Sequence, residues 1–202
     1  ALENSFTASA RLTDITQALR TQSRFDRAPT TGVVLNEVMR ESLIITGGKT
    51  KRHQLTKEIG ELPLITCFRS HIGQVLTNLF ANAADALEER VSLEREKGNI
   101  FKGQIRVQSY TAEHDGVAGV CVAVSDNGLG VEEAFRQQIF EAFFTTKPSG
   151  VGTGLGLSVC ATIVADHGGV IGVEDDEQLG GARFVMWLPI IMVQEDQDVE
   201  HS

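Results

Sequence analysis

Four stretches of this chain concentrate residues that could do chemistry. The first is Asn78, Asn82 and Asp85, whose spacings of four and three put all three side chains on one side of a helix. Asn and Asp are poor helix formers, so a stripe of them needs a reason beyond propensity. Their oxygens are hard donors that suit Mg²⁺, an ion that prefers a few protein oxygens beside phosphates and water. A solvated polar face is the plainer alternative. The second is Asp126 in Ser-Asp-Asn-Gly-Leu-Gly, directly after an apolar run. A carboxylate at a strand end can accept a hydrogen bond from the exocyclic amine of adenine, where guanine presents a carbonyl. Gly128 and Gly130 let the backbone turn and approach a base closely, although the same pattern also makes ordinary turns. The third is Gly-Val-Gly-Thr-Gly-Leu-Gly-Leu-Ser at 150–158. Gly152, Gly154 and Gly156, with Thr153 and Leu155 between them, clear side chains from a path that phosphate could follow. The helix expected beyond them offers free N–H groups and a positive dipole end. It is neither a P-loop, lacking the Gly-Lys-Ser/Thr ending, nor a dinucleotide fingerprint. The fourth is Ile139-Phe-Glu-Ala-Phe-Phe-Thr-Thr-Lys147, where the phenylalanines are either core or the anchor of a flap, and Lys147 is a candidate phosphate contact.

Hydrophobic periodicity supplies the elements that must position these residues. Leu12, Ile15 and Leu19 make an amphipathic helix ending before Pro29 and Thr30-Thr-Gly32, and its stripe has no evident partner in the chain. Asn36 is expected to N-cap a second helix reaching Gly47-Gly48. A short strand is expected around His53–Ile59, then a turn at Pro63. A third helix over about Arg69–Arg95 carries an apolar face of Val75, Leu76, Leu79, Phe80, Ala83, Ala86 and Leu87, and its charged end, Glu88 to Lys97, reads as solvated. Strands over Ile100–Thr111 and Val117–Ser125 form a hairpin around the turn at 114–116. A short helix is expected at 132–140, an extended loop at 141–155, and a helix over Leu157–His167 closed by Gly168-Gly169. Val170–Glu174 and Ala182–Leu188 read as a final strand pair, followed by an acidic tail. Helices alternating with antiparallel hairpins argue an α+β two-layer sandwich.

Composition narrows the function. The 202 residues carry 18 basic and 27 acidic side chains, a net charge of −9, which argues against a bulk nucleic-acid binder. The apolar stretch Phe184–Val193 is far short of the about 20 residues a membrane span needs, and the first residues lack the pattern of a signal peptide. Cys67, Cys121 and Cys160 are isolated, without CxxC spacing, and are expected to be buried thiols in a reducing compartment, the cytoplasm.

In order along the chain, the polar helix, DxGxG, FxxFFTTK and GTGLGLS resemble the ATP-binding domain of bacterial sensor histidine kinases. That domain shares a superfamily with type II topoisomerases and mismatch-repair ATPases. Residues 74–87, QVLTNLFANAADAL, are similar to its asparagine box, and the resemblance spans about Val34 to Pro189. It implies a two-layer fold with helices on one face of a mixed, mainly antiparallel sheet, and ATP with Mg²⁺ as cofactors. By the resemblance Asn82 would ligate Mg²⁺, Asn78 would support metal and phosphates, and Asp126 would read adenine with Gly128 and Gly130 beside the ring. The segment from Phe143 to Gly152 would be a lid with Lys147 near the phosphates, and residues 152–156 would border the triphosphate. Asp85 falls where some relatives carry a basic residue, and Ala142 where they often have Pro.

The resemblance divides the chain into a partial dimerisation helix at 1–28, an ATP-binding domain at 33–190 and an acidic tail at 191–202. None of His53, His71, His114, His167 and His201 has the context of a phosphoacceptor histidine. The chain is therefore expected to be a piece of a longer, homodimeric kinase, presenting the γ-phosphate to a histidine on a helix outside it. The implied partners are that histidine-bearing helix and a response-regulator receiver domain. No nucleic-acid or membrane contact is expected of this stretch. A non-catalytic nucleotide sensor is the alternative. An ATP-hydrolysing machine fits less well, because Asn78 stands where such relatives carry a glutamate, and an amide is no general base.

Overall fold

The computed structural model describes residues 28–147 and 153–190. Seven strands and four helices follow in order: β1 Thr30–Val33, α1 Leu35–Ile45, α2 Gly47–Thr50, β2 Gln54–Ile59, β3 Ile65–Cys67, α3 Arg69–Glu96, β4 Gln104–His114, β5 Val117–Asp126, α4 Gly156–Asp166, β6 Val170–Asp175 and β7 Ala182–Pro189. The main sheet has five strands in the order β2-β4-β5-β7-β6. Only β2 runs parallel to its neighbour, and the other pairs are antiparallel. This is the mainly antiparallel α+β sandwich expected from the sequence.

The core lies between that sheet and the helices. Ile72, Val75, Leu76, Leu79, Phe80, Ala83 and Leu87 recur at helical spacing along α3 and are buried. Each large apolar side chain so buried contributes about 1.5–3 kcal/mol. Helix α3 packs against α1, α4 and the central strand β5. On β5, Val120, Val122 and Val124 belong to this core, and the two-residue period of a strand carries the same face on to Asp126. The opposite face of β5 carries small residues, Cys121 and Ala123, buried with it.

Several local expectations give way to tertiary partners. Asn36 lies inside α1 rather than capping it, and Val34 holds the cap position. The Asn36 amide donates to the Gly60 carbonyl (2.9 Å) and accepts from the Ser109 hydroxyl (2.9 Å), so long-range bonds outcompete a local cap. Residues 30–33 and 65–67, not expected as strands, pair as a two-stranded antiparallel sheet, Thr30 opposite Cys67 and Val33 opposite Ile65. Instead of a helix over 132–140 there are two 3₁₀ turns, Glu133–Phe135 and Gln138–Phe140. Ile100 is 95% exposed, and β4 begins only at Gln104, where it gains neighbours on both sides. The amphipathic N-terminal helix and the acidic tail fall outside the described residues.

One histidine and the three cysteines have structural surroundings. His167 accepts the Phe68 N–H at Nε2 (3.0 Å), and its Nδ1 lies 2.6 Å from the Ile163 carbonyl, joining α4 to the start of α3. All three thiols are buried, and burial pushes the Cys160 thiol up to about 12, leaving it inert.

Candidate functional site

A cleft of 500 Å³ opens between α3, the end of the sheet and the first turn of α4. Asp126 closes one end. Its side chain is buried at the end of β5, beside Ala182 and Phe184 of β7, which also line the cleft. The Gly128 N–H donates to Oδ1 (2.7 Å), and the Ala182 N–H also donates to the carboxyl. Burial nevertheless dominates and raises this carboxyl from 3.8 to about 6. Asp126 thus sets a buried carboxyl, a hydrogen-bond acceptor when ionised, at the apolar end of the cleft.

Two glycines make this corner possible. A side chain on Gly128 would come within 2.7 Å of Asp126 Oδ1 and 3.0 Å of Ala86 Cβ; one on Gly181 would lie 2.4 Å from the Asp126 carbonyl oxygen. Gly181 in turn is set by Asp176, which accepts the N–H groups of Gln178 and Leu179 and receives Arg106 Nη2 at 2.5 Å. The Asp176 N–H closes the turn onto the Gly181 carbonyl (2.9 Å). From the other side, Arg90 Nη1 donates to the carbonyls of Asn127 (2.6 Å) and Gly128 (2.8 Å) while its guanidinium lies over Phe101.

The other end of the cleft is polar. Asn82 and Asp85 line it from α3, Lys147 from the loop, and Thr153, Gly154 and Gly156 from the approach to α4. Lys147 is not free: its ammonium holds Asp85 Oδ2 (2.8 Å), while Lys49 holds Oδ1 (2.6 Å). Burial alone would raise the Asp85 carboxyl, but the two lysines together outweigh it and hold it below its ordinary value. Gly154 sits at φ +66°, with space for no side chain against Phe143, and the Phe143 N–H donates to its carbonyl (2.9 Å). Phe143 itself takes φ 69° and is 73% exposed, so this phenylalanine is neither core nor relaxed backbone. Phe144 and Ile139 line the cleft, and Phe140 packs edge-on to Phe184.

The sequence-derived residues therefore divide. Asn82, Asp85, Asp126, Gly130, Lys147, Thr153, Gly154 and Gly156 meet around one cleft. Gly128 and Leu155 stand behind it, Gly128 under Asp126 and Leu155 as the cap of α4. Asn78 does not line it: its amide donates to the Gly156 carbonyl (3.2 Å) and reaches Cys160 Sγ, tying α3 to α4. Gly152 lies outside the described residues. Arg90, Lys49, Gly181, Ala182 and Phe184 escape a sequence reading. Arg90 stands in the charged stretch taken as solvated, yet Asn82, Ala86 and Arg90 follow at i, i+4, i+8, a spacing that could have exposed it.

Comparison with known proteins agrees with this geometry. The family model described as histidine kinase-, DNA gyrase B- and HSP90-like ATPase matches residues 68–191. The sensor histidine kinase ZraS of Escherichia coli O157:H7 is 40% identical over 135 residues, 67% of this chain and 25% of that protein. The signal transduction histidine-protein kinase AtoS of Escherichia coli K12 is 34% identical over 161 residues, 78% of this chain and 24% of that protein. The chain thus spans about a quarter of the length of these curated relatives. Among solved structures, the catalytic domain of histidine kinase ThkA superposes with a TM-score of 0.64 at 31% identity, covering 80% of this chain and 95% of that one. Full-length ShkA, solved with AMPPNP, superposes at 0.69 with 23% identity over 95% of this chain and 37% of that one, a likeness of fold. The chain belongs to the family of histidine kinase-, DNA gyrase B- and HSP90-like ATPases.

Proposed function

We propose that this chain is the ATP-binding part of a two-component sensor histidine kinase. It would bind Mg-ATP in the cleft and offer the γ-phosphate to a histidine on a dimerisation helix outside the described residues. The phosphoryl group would pass later to an aspartate of a response-regulator receiver domain. The observation that carries the reading is the polarity of the cleft, with a buried acceptor, Asp126, at its apolar end and cations with hard oxygen donors at the other. The names of the relatives point the same way, and ThkA has been solved with the response regulator TrrA.

Each residue then has a task. Asp126 accepts the adenine amine, and the Phe184 and Ala182 surface takes the ring. Lys147 leaves Asp85 for the phosphates, and the amides at the start of α4 receive the rest of the triphosphate charge. Mg²⁺ fits the hard oxygen donors that line the polar end of the cleft. A phosphate-borne ion needs only one or two protein oxygens, here Asn82 and its neighbour Asp85. When bound, the ion would neutralise charge on the transferring phosphoryl group. Asn78 supplies no base for water, since its amide faces Gly156 and Cys160.

Calorimetric titration with ADP, ATP and GTP, with and without Mg²⁺, tests the binding half. Adenine-selective binding is expected, and equal affinity for GTP would overturn it. Incubation of this chain with labelled ATP and a separately purified histidine-bearing hairpin tests the transfer half. Labelled phosphohistidine is the expected result; tight binding with no transfer would favour a nucleotide-sensing module.

A further inference from the structure

A second cavity, 520 Å³, opens beside α3 where it passes the α2–β2 turn and the start of β4, and it shares no lining residue with the nucleotide cleft. Its charge is opposite to that of the chain, which is −9 overall. Arg52, Arg95 and Lys102 line it against one carboxylate, Glu88, and that carboxylate is already held by Arg52 (3.0 Å). Arg95 and Lys102 have no carboxylate partner among the described residues. The His53 ring also lines the cavity, and its Nε2 is buried with no hydrogen-bond partner among them. Burial lowers the pKa of this imidazole, and Arg52 adds to the effect against Glu88.

The wall is built rather than loose. The Gln54 N–H bonds the Gly103 carbonyl (2.9 Å), the Gln104 N–H bonds Asn127 Oδ1 (2.7 Å), and the Asn127 amide bonds the Lys102 carbonyl (3.0 Å). A side chain at position 103 would strike His53 Nδ1 at 2.4 Å, so glycine there lets the ring occupy its place. The cavity is thus fixed, comparable in size to the nucleotide cleft, and its unneutralised groups are the cations Arg95 and Lys102. We propose that it is a binding site for a small anion bearing phosphate or carboxylate groups, gripped by Arg95 and Lys102 over a wall that includes the His53 ring. The proposal is independent of the adenine reading.

The test is an NMR titration of the whole chain with inorganic phosphate and, separately, with citrate, at constant ionic strength and with ADP present to fill the nucleotide cleft. The reporters are the His53 ring and the Lys102 and Gly103 amides. Saturable shifts with a Kd of about 1 mM are expected, weakened about 10-fold or more in the Arg95→Glu, Lys102→Glu double variant. The anion that binds tighter identifies phosphate or carboxylate as the recognised group. Both substituted residues are exposed, and a thermal unfolding curve confirms that the variant folds; Lys102→Gln alone replaces it if not. Shifts that rise without saturating to about 50 mM, or that are the same in the variant, overturn the proposal.

Discussion

Asp126→Asn should do two opposite things, weakening nucleotide binding while stabilising the empty domain. In the fold the carboxyl titrates at about 6, against 3.8 when unburied. At ~1.4 kcal/mol per pH unit, ionising it in place costs about 3 kcal/mol more than in the unfolded chain. Because the folded value is raised, the group's contribution to stability is fully present below 3.8 and is lost as pH climbs through about 6. Asparagine keeps an oxygen for the Gly128 N–H but has no charge to bury. The variant should therefore match the wild type near pH 4 and exceed it by up to about 3 kcal/mol at pH 8, a Tm increase of roughly 5–10 °C. Its NH₂ would meet the adenine amine donor to donor, lowering ATP affinity about 100-fold or more. Urea unfolding across pH 4–8, beside calorimetry with ADP, reads both effects. A variant less stable than wild type at pH 8, or a difference flat with pH, refutes the claim that burial strains the carboxylate. Unchanged ADP affinity refutes its role at adenine.

Three further outcomes follow from the same geometry. Asp176→Asn leaves the partly buried Arg106 without its carboxylate and should cost about 2–3 kcal/mol near neutral pH. The Asp176 carboxyl is held below its ordinary value, since the Leu179 and Gln178 N–H groups and Arg106 outweigh burial, so the penalty should shrink as acid protonates the wild type; denaturation at pH 3 and pH 7 checks this. Arg90→Met removes the two bonds to the Asn127 and Gly128 carbonyls and should raise the Kd for ADP by about 10-fold with little change in Tm, measured by calorimetry. Asn82→Ala should leave Mg-free ADP binding intact and abolish the gain that Mg²⁺ brings to ATP, whereas an unchanged Mg²⁺ effect would remove Asn82 from the metal's surroundings.

Much of the site was legible because its parts are local. DxGxG, the glycine run and the polar stripe each occupy a few consecutive residues or one helix face, and local geometry follows from local composition. The parts that were not legible are those made by distant partners. Asp176 and Gly181 support Asp126 across a turn that joins β6 to β7, and nothing in their own neighbourhood announces that service. Lys49 meets Asp85 only because α2 folds beside α3. Asn36 has the composition of a cap and serves instead as a long-range tie, since two bonds to β-strand neighbours are available once the chain is folded.

The alternation of apolar and polar residues was enough to determine the layered α+β class and the approximate extents of the long helix and of the main-sheet strands, because burial periodicity is a property of consecutive positions. The order of four motifs was enough to indicate the family. Only the folded chain decided which residues face the cleft. It turned Asn78 inward to brace α4, paired Lys147 with Asp85, and drew Arg90 from an apparently solvated helix end onto the loop carbonyls. Those outcomes depend on which unmet donors and acceptors are brought within about 3 Å of one another, and that is settled by packing between elements far apart in sequence.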